Sequence, residues 1–149
     1  MAVYTASYFE TNNHHGKLIS ISRTIPSDFK GVKQTLDFLA PSSSLLQAWK
    51  KKQDETAYID RYRQECRINL EKIKSYIAKL KSEEDETWLC WERAGSFCHR
   101  ELAIKFVQLY RPDCYGGCNV RRSDVHLTPK EDLDEKVLQF SLFFEGEVI

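Results

Sequence analysis

Cys98, His99 and Arg100 stand side by side at the end of the segment WLCWERAGSFCHR, which spans residues 88–100. An ionised thiol is a nucleophile, an imidazole transfers protons near neutral pH, and a guanidinium binds anions through several N–H donors. Glu92 adds a carboxylate to the same segment. This grouping predicts an anion-binding site. Cys98 would be its nucleophile, His99 its acid or base, and Glu92 the group that orients one of the others.

These residues lie at the start of a helix that is predicted over about residues 98–110. At ~100° of rotation per residue, one sector of the helix collects polar side chains and is predicted to face solvent: Glu101, Lys105 and Gln108. His99 and Arg100 fall in the apolar arc and are predicted to point into the protein or into a cleft. A buried arginine needs a carboxylate or a bound anion, and a helix N-terminus attracts anions. The same field favours the thiolate form of Cys98.

The same residues also fit interpretations without catalysis. Ion pairs and buried cysteines are common in protein cores, so Glu92, His99 and Arg100 would equally form a structural network around an inert Cys98 thiol. The protein would then be a module that binds a partner protein or RNA. A regulator that responds to thiols or metals through its cysteines is a third interpretation.

The elements around this segment alternate between strands and helices. Strands are predicted over residues 1–9, 17–24, 87–92 and 124–127, and helices over residues 31–39, 45–52, 57–80 and 98–110, with a last helix from Thr128. Tyr58 and Tyr62 lie one turn apart on the long helix and are interpreted as core residues rather than a stacking platform. The alternation predicts one α/β domain over residues 1–149, with a mostly parallel sheet that helices cover.

Chain order indicates which further residues reach the Cys98 site. In a parallel sheet, functional groups collect where strands end and helices begin. Arg23 and Glu92 each end a predicted strand, while His126 and Thr128 precede the last predicted helix. We therefore expect all four at the same edge of the sheet as Cys98.

Cys114 and Cys118, with two glycines between them, suggest a metal-binding knuckle in the predicted loop 111–123. A zinc site needs about four ligands, and Cys98 and His99 are the nearest candidates to complete it. However, a loop that follows a helix lies at the opposite edge of the sheet from the loop that precedes it. We therefore predict no metal site from these residues.

The composition sets the class of protein. The chain has 22 basic and 22 acidic side chains, so no net charge draws it to duplex DNA or to an anionic membrane. No apolar run approaches the ~20 residues of a membrane span, and the N-terminus has no secretory pattern. Five cysteines is an odd number, and without export signals it indicates reduced thiols rather than disulfides. These features predict a cytoplasmic protein with no membrane partner.

The strand LCWE, a short loop and CHR at a helix start resemble the domain-of-unknown-function family numbered 488. In that family a strand ends in Cys-x-Glu and is followed by Cys-His-Arg. ISRTIP, and LAPSSSLLQAWK followed by YIDRY, resemble two further stretches of the family, so the resemblance covers residues 1 to about 128. It implies a Rossmann-like three-layer sandwich and no established reaction, with suggested links to nucleic-acid metabolism.

Carried over residue by residue, the resemblance implicates seven positions: Arg23, Pro26, Cys90, Glu92, Cys98, His99 and Arg100. The chain departs from the family in two places. TASYFETNN lacks the short Gly-His-Ser-type motif that many members carry after the first strand, and Ser22 stands where an acidic residue usually precedes the arginine. A mechanism that needs either group does not apply to this chain.

The leading hypothesis is a site for a phosphate-bearing ligand, such as a nucleotide or a nucleic-acid end, which Arg23 and Arg100 would hold. Cys90, His126 and Thr128 complete the predicted ligand-binding set. The sequence identifies no cofactor. The apolar tail, residues 137–149, fits packing on the core and packing against a second subunit in a homodimer equally well.

Overall fold

A computed structural model, which describes residues 3–93 and 97–118 together with Phe140 and Phe144, contains one sheet of five strands. The strands are β1 (Val3–Ser7), β2 (Lys17–Ser20), β3 (Val32–Thr35), β4 (Glu86–Cys90) and β5 (Tyr115–Cys118). Their order across the sheet is β3-β2-β4-β1-β5, and each of these pairings is parallel. The predicted Rossmann-like α/β sandwich with a mostly parallel sheet is confirmed.

Four α-helices accompany the sheet in the described part of the chain: α1 (Ser43–Lys51), α2 (Glu55–Ile68), α3 (Leu70–Ala78) and α4 (Arg100–Tyr110). The Ser42 side chain caps α1 by accepting a hydrogen bond of 3.1 Å from the Leu45 amide, as the serines after Pro41 predict. None of the helices among the described residues has the length and apolarity needed to cross a membrane.

The long helix predicted over residues 57–80 is two helices. Its apolar stripe is buried as predicted: Ile59, Tyr62, Cys66, Leu70, Ile73, Ile77 and Leu80. The break between α2 and α3 falls at Asn69, whose main-chain amide and side-chain amide both donate to the Glu65 carbonyl, at 3.2 and 3.3 Å. An asparagine side chain competes in this way for helical carbonyls, and a search for apolar spacing does not detect it.

The prediction of a short helix over residues 31–39 is wrong. Residues Val32–Thr35 form the edge strand β3, which pairs with β2, and a single 3-10 turn follows at Asp37–Leu39. β3 is mostly exposed, so its residues carry no clear alternation of apolar and polar side chains. It forms because the free edge of β2 needs main-chain hydrogen-bond partners.

The loop predicted over residues 111–123 contains the strand β5, which pairs with β1. Its glycines suggested a turn, but Gly116 serves a close approach between strands. A Cβ atom at this position would lie 2.6 Å from the Val3 carbonyl oxygen. The strand predicted over residues 124–127 and the helix predicted from Thr128 lie outside the described residues.

The prediction that Glu101, Lys105 and Gln108 of α4 face solvent is wrong for two of these three residues. Glu101 is 2% exposed and Lys105 is 1% exposed. The helix packs on β1 and β5 with α3 beside it, and Phe140 and Phe144 lie against Phe106. A helix covered on several sides buries positions that helical periodicity assigns to solvent. The two tail phenylalanines pack on the core.

Replacing Gly16 with alanine is expected to lower the free energy of unfolding by at least about 2 kcal/mol. Gly16 has φ +62°, and a Cβ there would lie 2.0 Å from the main-chain oxygen of Asp85, next to β4. Gly31 is the matched control, since its φ is +97° but a Cβ would meet only the Leu18 side chain at 3.8 Å. Urea unfolding should show a smaller loss for Gly31→Ala, and equal losses would contradict the steric argument.

Candidate active site

A cleft lies at the carboxyl ends of the neighbouring strands β2 and β4. Because the two strands are parallel, the segments that follow them meet at one edge of the sheet. The cleft is open to solvent. It brings together five of the predicted site residues: Arg23, Cys90, Glu92, Cys98 and His99.

His99 is buried at the floor of the cleft with both ring nitrogens engaged. Nε2 lies 2.6 Å from the Ile21 carbonyl oxygen, and Nδ1 lies 3.6 Å from the Cys98 sulfur. A carbonyl oxygen only accepts hydrogen bonds, so Nε2 carries the proton and the lone pair of Nδ1 is directed toward the Cys98 sulfur. The pKa of His99 is lowered to about 4, chiefly by burial; the Ile21 hydrogen bond opposes this shift, and the nearby Arg100 charge adds to it. The ring is therefore neutral at pH 7.

The Ile21 main chain orients His99; the sequence predicted that Glu92 would orient one of the other groups of the site. Ile21 follows β2, and its amide donates to the Leu89 carbonyl of β4 at 3.1 Å. That bond fixes the carbonyl relative to the helix that carries His99. Main-chain acceptors leave no signature in residue types, so sequence reasoning had no signal for this contact.

Cys90 and Cys98 are brought together at the same floor. Cys90 ends β4, Cys98 precedes α4, and their sulfur atoms are in direct contact as a disulfide. Their Cα atoms are 7.6 Å apart, wider than the ~4.4–6.8 Å usual for disulfides. Cys66 and Cys114 are free and buried. The sequence predicted reduced thiols throughout and did not anticipate that two of them would meet.

Arg100 lies behind the cleft and is fully buried, as the helical arc predicts. One terminal nitrogen, Nη1, donates to the Glu92 main-chain oxygen at 2.6 Å and to the Cys90 sulfur at 3.0 Å. Its contact with Glu92 is thus to the main chain. The predicted role of Arg100 as a ligand-holding residue gains no support from this position, because the residue is absent from the lining of the cleft.

Arg23 and Glu92 lie at the rim. Arg23 is exposed, and Glu92 is near enough to the buried Tyr58 that its charge adds to the burial that raises the pKa of that phenol. The side chains of His126 and Thr128, the other predicted members of this edge, lie outside the described residues.

Aromatic rings form the walls of the cleft: Trp49, Tyr58, Trp91 and Phe97. Phe97 packs against Trp49 and Tyr58, with ring centroids 5.1 and 5.2 Å apart. Tyr58 is thus a core residue, as predicted, and also part of the wall. The sequence carried no signal for this wall, since the rings come from α1, α2 and the segment that connects β4 to α4.

Cys90, Cys98 and His99 are also the group of metal-ligand side chains that converges within the described residues. Cys114 lies before β5 and belongs to no such group there. Cys114 therefore lies apart from Cys98, as the order of the elements predicts. The sulfur next to Cys98 is that of Cys90, which the sequence had not paired with it.

A protein-family comparison gives a match over residues 3–111 to the model DUF488-N3a, described as the Active DUF488-N3 subclade. The matched region covers most of the chain and every residue that lines the cleft. The chain belongs to the DUF488 family. The resemblance seen in the Cys-x-Glu and Cys-His-Arg segments is confirmed. No curated protein and no solved structure matches this DUF488 chain.

Proposed function

We propose that this DUF488 protein, in the form in which the Cys90–Cys98 disulfide is reduced, is an enzyme that uses the Cys98 thiol on a phosphate-bearing ligand, such as a nucleotide or a nucleic-acid end. The observation that carries the proposal is the contact between the Cys98 sulfur and Nδ1 of His99 on the floor of an open cleft. A nucleophile beside a base that a third group orients is the arrangement on which thiol catalysis depends.

The proton inventory of this pair is consistent with catalysis. Nδ1 accepts the proton of Cys98 as the sulfur bonds to an electrophilic atom of the ligand. The bond from that atom to its leaving group breaks, and the imidazolium gives the proton to the leaving group; water then cleaves the bond to sulfur and restores the thiol. The thiolate offsets the charge that the buried ring gains. Cys98 also lies just before the N-terminus of α4, where the helix dipole favours a thiolate.

The shape and charge of the cleft support the ligand class. Aromatic walls suit a planar ring such as a nucleobase, and Arg23 at the rim is placed to hold a phosphate. The word Active in the description of the matched subclade also favours an enzyme.

The test is the rate at which iodoacetamide modifies each cysteine of the reduced protein at pH 7, followed by peptide mass spectrometry. We expect Cys98 to react at least about tenfold faster than Cys66 and Cys114, because burial raises the pKa of both control thiols. His99→Gln should slow Cys98 by a similar factor, and His15→Gln, which lies away from the cleft, should not. If Cys98 reacts no faster than the buried control thiols, it is not the nucleophile.

Protection by ligands tests the anion component with the same readout. Inorganic phosphate and nucleoside monophosphates should slow the modification of Cys98, and the nucleotides should do so at lower concentration because of the aromatic walls. Arg23→Ser should remove most of the protection, while Lys33→Ser on the exposed strand β3 should leave it unchanged. Equal protection in Arg23→Ser would show that Arg23 does not hold the anion.

A non-catalytic module is the second candidate, and one observation favours it. The donors of His99 and Arg100 are engaged with the main-chain oxygens of Ile21 and Glu92, as expected of a structural network. This candidate predicts an unreactive Cys98. A cytoplasmic location, a single domain over residues 1–149 and a homodimer also stay predictions.

A further inference from the structure

The two cysteine sulfurs and the ring of His99 converge on one point of the cleft floor. One ligand atom from each of Cys90, Cys98 and His99 lies within 4.8 Å of the others, and all three residues are buried. We propose that, when the Cys90–Cys98 disulfide is reduced, these side chains form a binding site for one thiophilic divalent ion of the Zn²⁺ type. Metal binding and the catalytic role would be alternative states of the Cys98 thiol.

The donor set fits zinc. Thiolate sulfur and neutral imidazole nitrogen are the ligands that Zn²⁺ prefers, and the ion takes about four of them in a tetrahedron. Three protein ligands leave one position open. Cys90, Cys98 and His99 all line the cleft, so the open position faces the space in which a ligand or water enters.

His99 is prepared for metal ligation. Its Nε2–H donates to the Ile21 carbonyl, which leaves the lone pair of Nδ1 directed toward the Cys98 sulfur. A metal-ligating histidine usually donates its other N–H to a carbonyl or carboxylate in this way, which fixes both the tautomer and the ring orientation. The ring needs no rearrangement of this hydrogen bond to bind an ion through Nδ1.

Two features favour the binding of an ion by the Cys90 and Cys98 thiolates: the hydrogen bond from Arg100 to Cys90, and the distance between the two Cα atoms. The Arg100 guanidinium donates to the Cys90 sulfur at 3.0 Å, and hydrogen bonds of this kind stabilise a ligating thiolate. The 7.6 Å between the Cα atoms of Cys90 and Cys98 exceeds the usual span of a disulfide. Because their Cα atoms are this far apart, the two cysteine side chains can approach a bound ion from different directions.

Metal binding and thiol catalysis exclude each other at Cys98. A sulfur bound to Zn²⁺ has its lone pair engaged, so an occupied site should block the modification of this thiol. This inhibitory consequence rests on the proposed function, whereas the binding of the ion does not. The two are therefore measured separately.

The test uses Co²⁺ as a spectroscopic probe of the reduced full-length protein, with reductant removed and air excluded. We expect one equivalent of Co²⁺ to produce a thiolate-to-cobalt charge-transfer band in the near ultraviolet, and one equivalent of Zn²⁺ to abolish it. The near-isosteric variants Cys90→Ser and Cys98→Ser should bind Co²⁺ at least about tenfold more weakly. Cys114→Ser and Cys66→Ser are the matched controls and should bind as the unaltered protein does.

The outcomes separate the two proposals. Absence of the band in the unaltered protein, or a band that persists in Cys90→Ser and is lost in Cys114→Ser, overturns the metal site. If Co²⁺ binds as expected but metal-free Cys98 is unreactive toward iodoacetamide, the metal site stands and the catalytic proposal fails. If metal-free Cys98 is reactive, one equivalent of Zn²⁺ should slow its modification by at least about tenfold, with Cys98→Ser confirming which thiol is measured.

Discussion

Replacing Arg100 with methionine is expected to lower the free energy of unfolding by about 3 kcal/mol. The side chain is fully buried, and its guanidinium donates to the Glu92 main-chain oxygen and to the Cys90 sulfur. Methionine has a similar length and fills much of the same space, but it leaves the carbonyl oxygen without this donor in the interior. Urea unfolding of the reduced protein at pH 7 measures the loss.

Arg61→Met is the matched control for this substitution. Arg61 donates to the Ser44 hydroxyl at 3.0 Å in an exposed hydrogen bond, so its loss should cost less than about 1 kcal/mol. If Arg100→Met costs no more than Arg61→Met, the bonds of Arg100 do not hold the end of β4 to the start of α4.

Stability is expected to decrease as the pH falls from about 7.5 to 5, and His99 is expected to contribute about 2 kcal/mol of that decrease. The pKa of His99 is lowered to about 4 in the folded protein, chiefly by burial, whereas an unfolded histidine has a pKa of ~6.5. Below that value the unfolded chain gains a proton that the folded chain excludes. The stabilising contribution of the neutral ring is therefore complete above pH 6.5 and is lost as the pH falls toward 4.

The measurement compares the unaltered protein with His99→Gln by urea unfolding at pH 7.5 and pH 5, in a chelating buffer and under reduction. Glutamine keeps an N–H donor for the Ile21 carbonyl and does not titrate, so the variant should lose less stability on acidification. The difference between the two pH dependences isolates His99 from the other acid-sensitive groups. Parallel pH dependences in the two proteins would show that the ring is accessible to protons in the folded state.

Much of this architecture follows from local patterns in the sequence. The first strand, β4 and α4 are close to their predicted positions because burial imposes a strong signal on their residues. The edge strand β3 and the glycine-containing β5 were not predicted, because each forms only where a neighbouring strand requires a partner. The break at Asn69 was not predicted for another reason. The Asn69 side chain interrupts the helix by hydrogen bonding to the Glu65 carbonyl, although the apolar stripe continues through the break.

The candidate site divides in the same way. Chain order in a parallel sheet was enough to bring Arg23 and Glu92 to the edge that holds Cys98, and the helical arc was enough to turn His99 and Arg100 inward. Neither argument specifies which atoms become the hydrogen-bond partners of a side chain that points inward. In the structure Arg100 donates a hydrogen bond to the Glu92 main-chain oxygen, just after β4, and His99 donates one to the Ile21 carbonyl.

The segment WLCWERAGSFCHR by itself indicated where the candidate site lies and which chemical groups are available to it. The family membership also follows from the sequence, through the match over residues 3–111. Only the tertiary structure decided which atoms face each other. It brought the Cys90 and Cys98 sulfurs into contact and placed His99 between the Cys98 sulfur and the Ile21 carbonyl. It also assembled the aromatic walls from α1, α2 and the segment that connects β4 to α4. The reason is physical, since periodicity reports the direction of a side chain, whereas its partner depends on how distant segments pack.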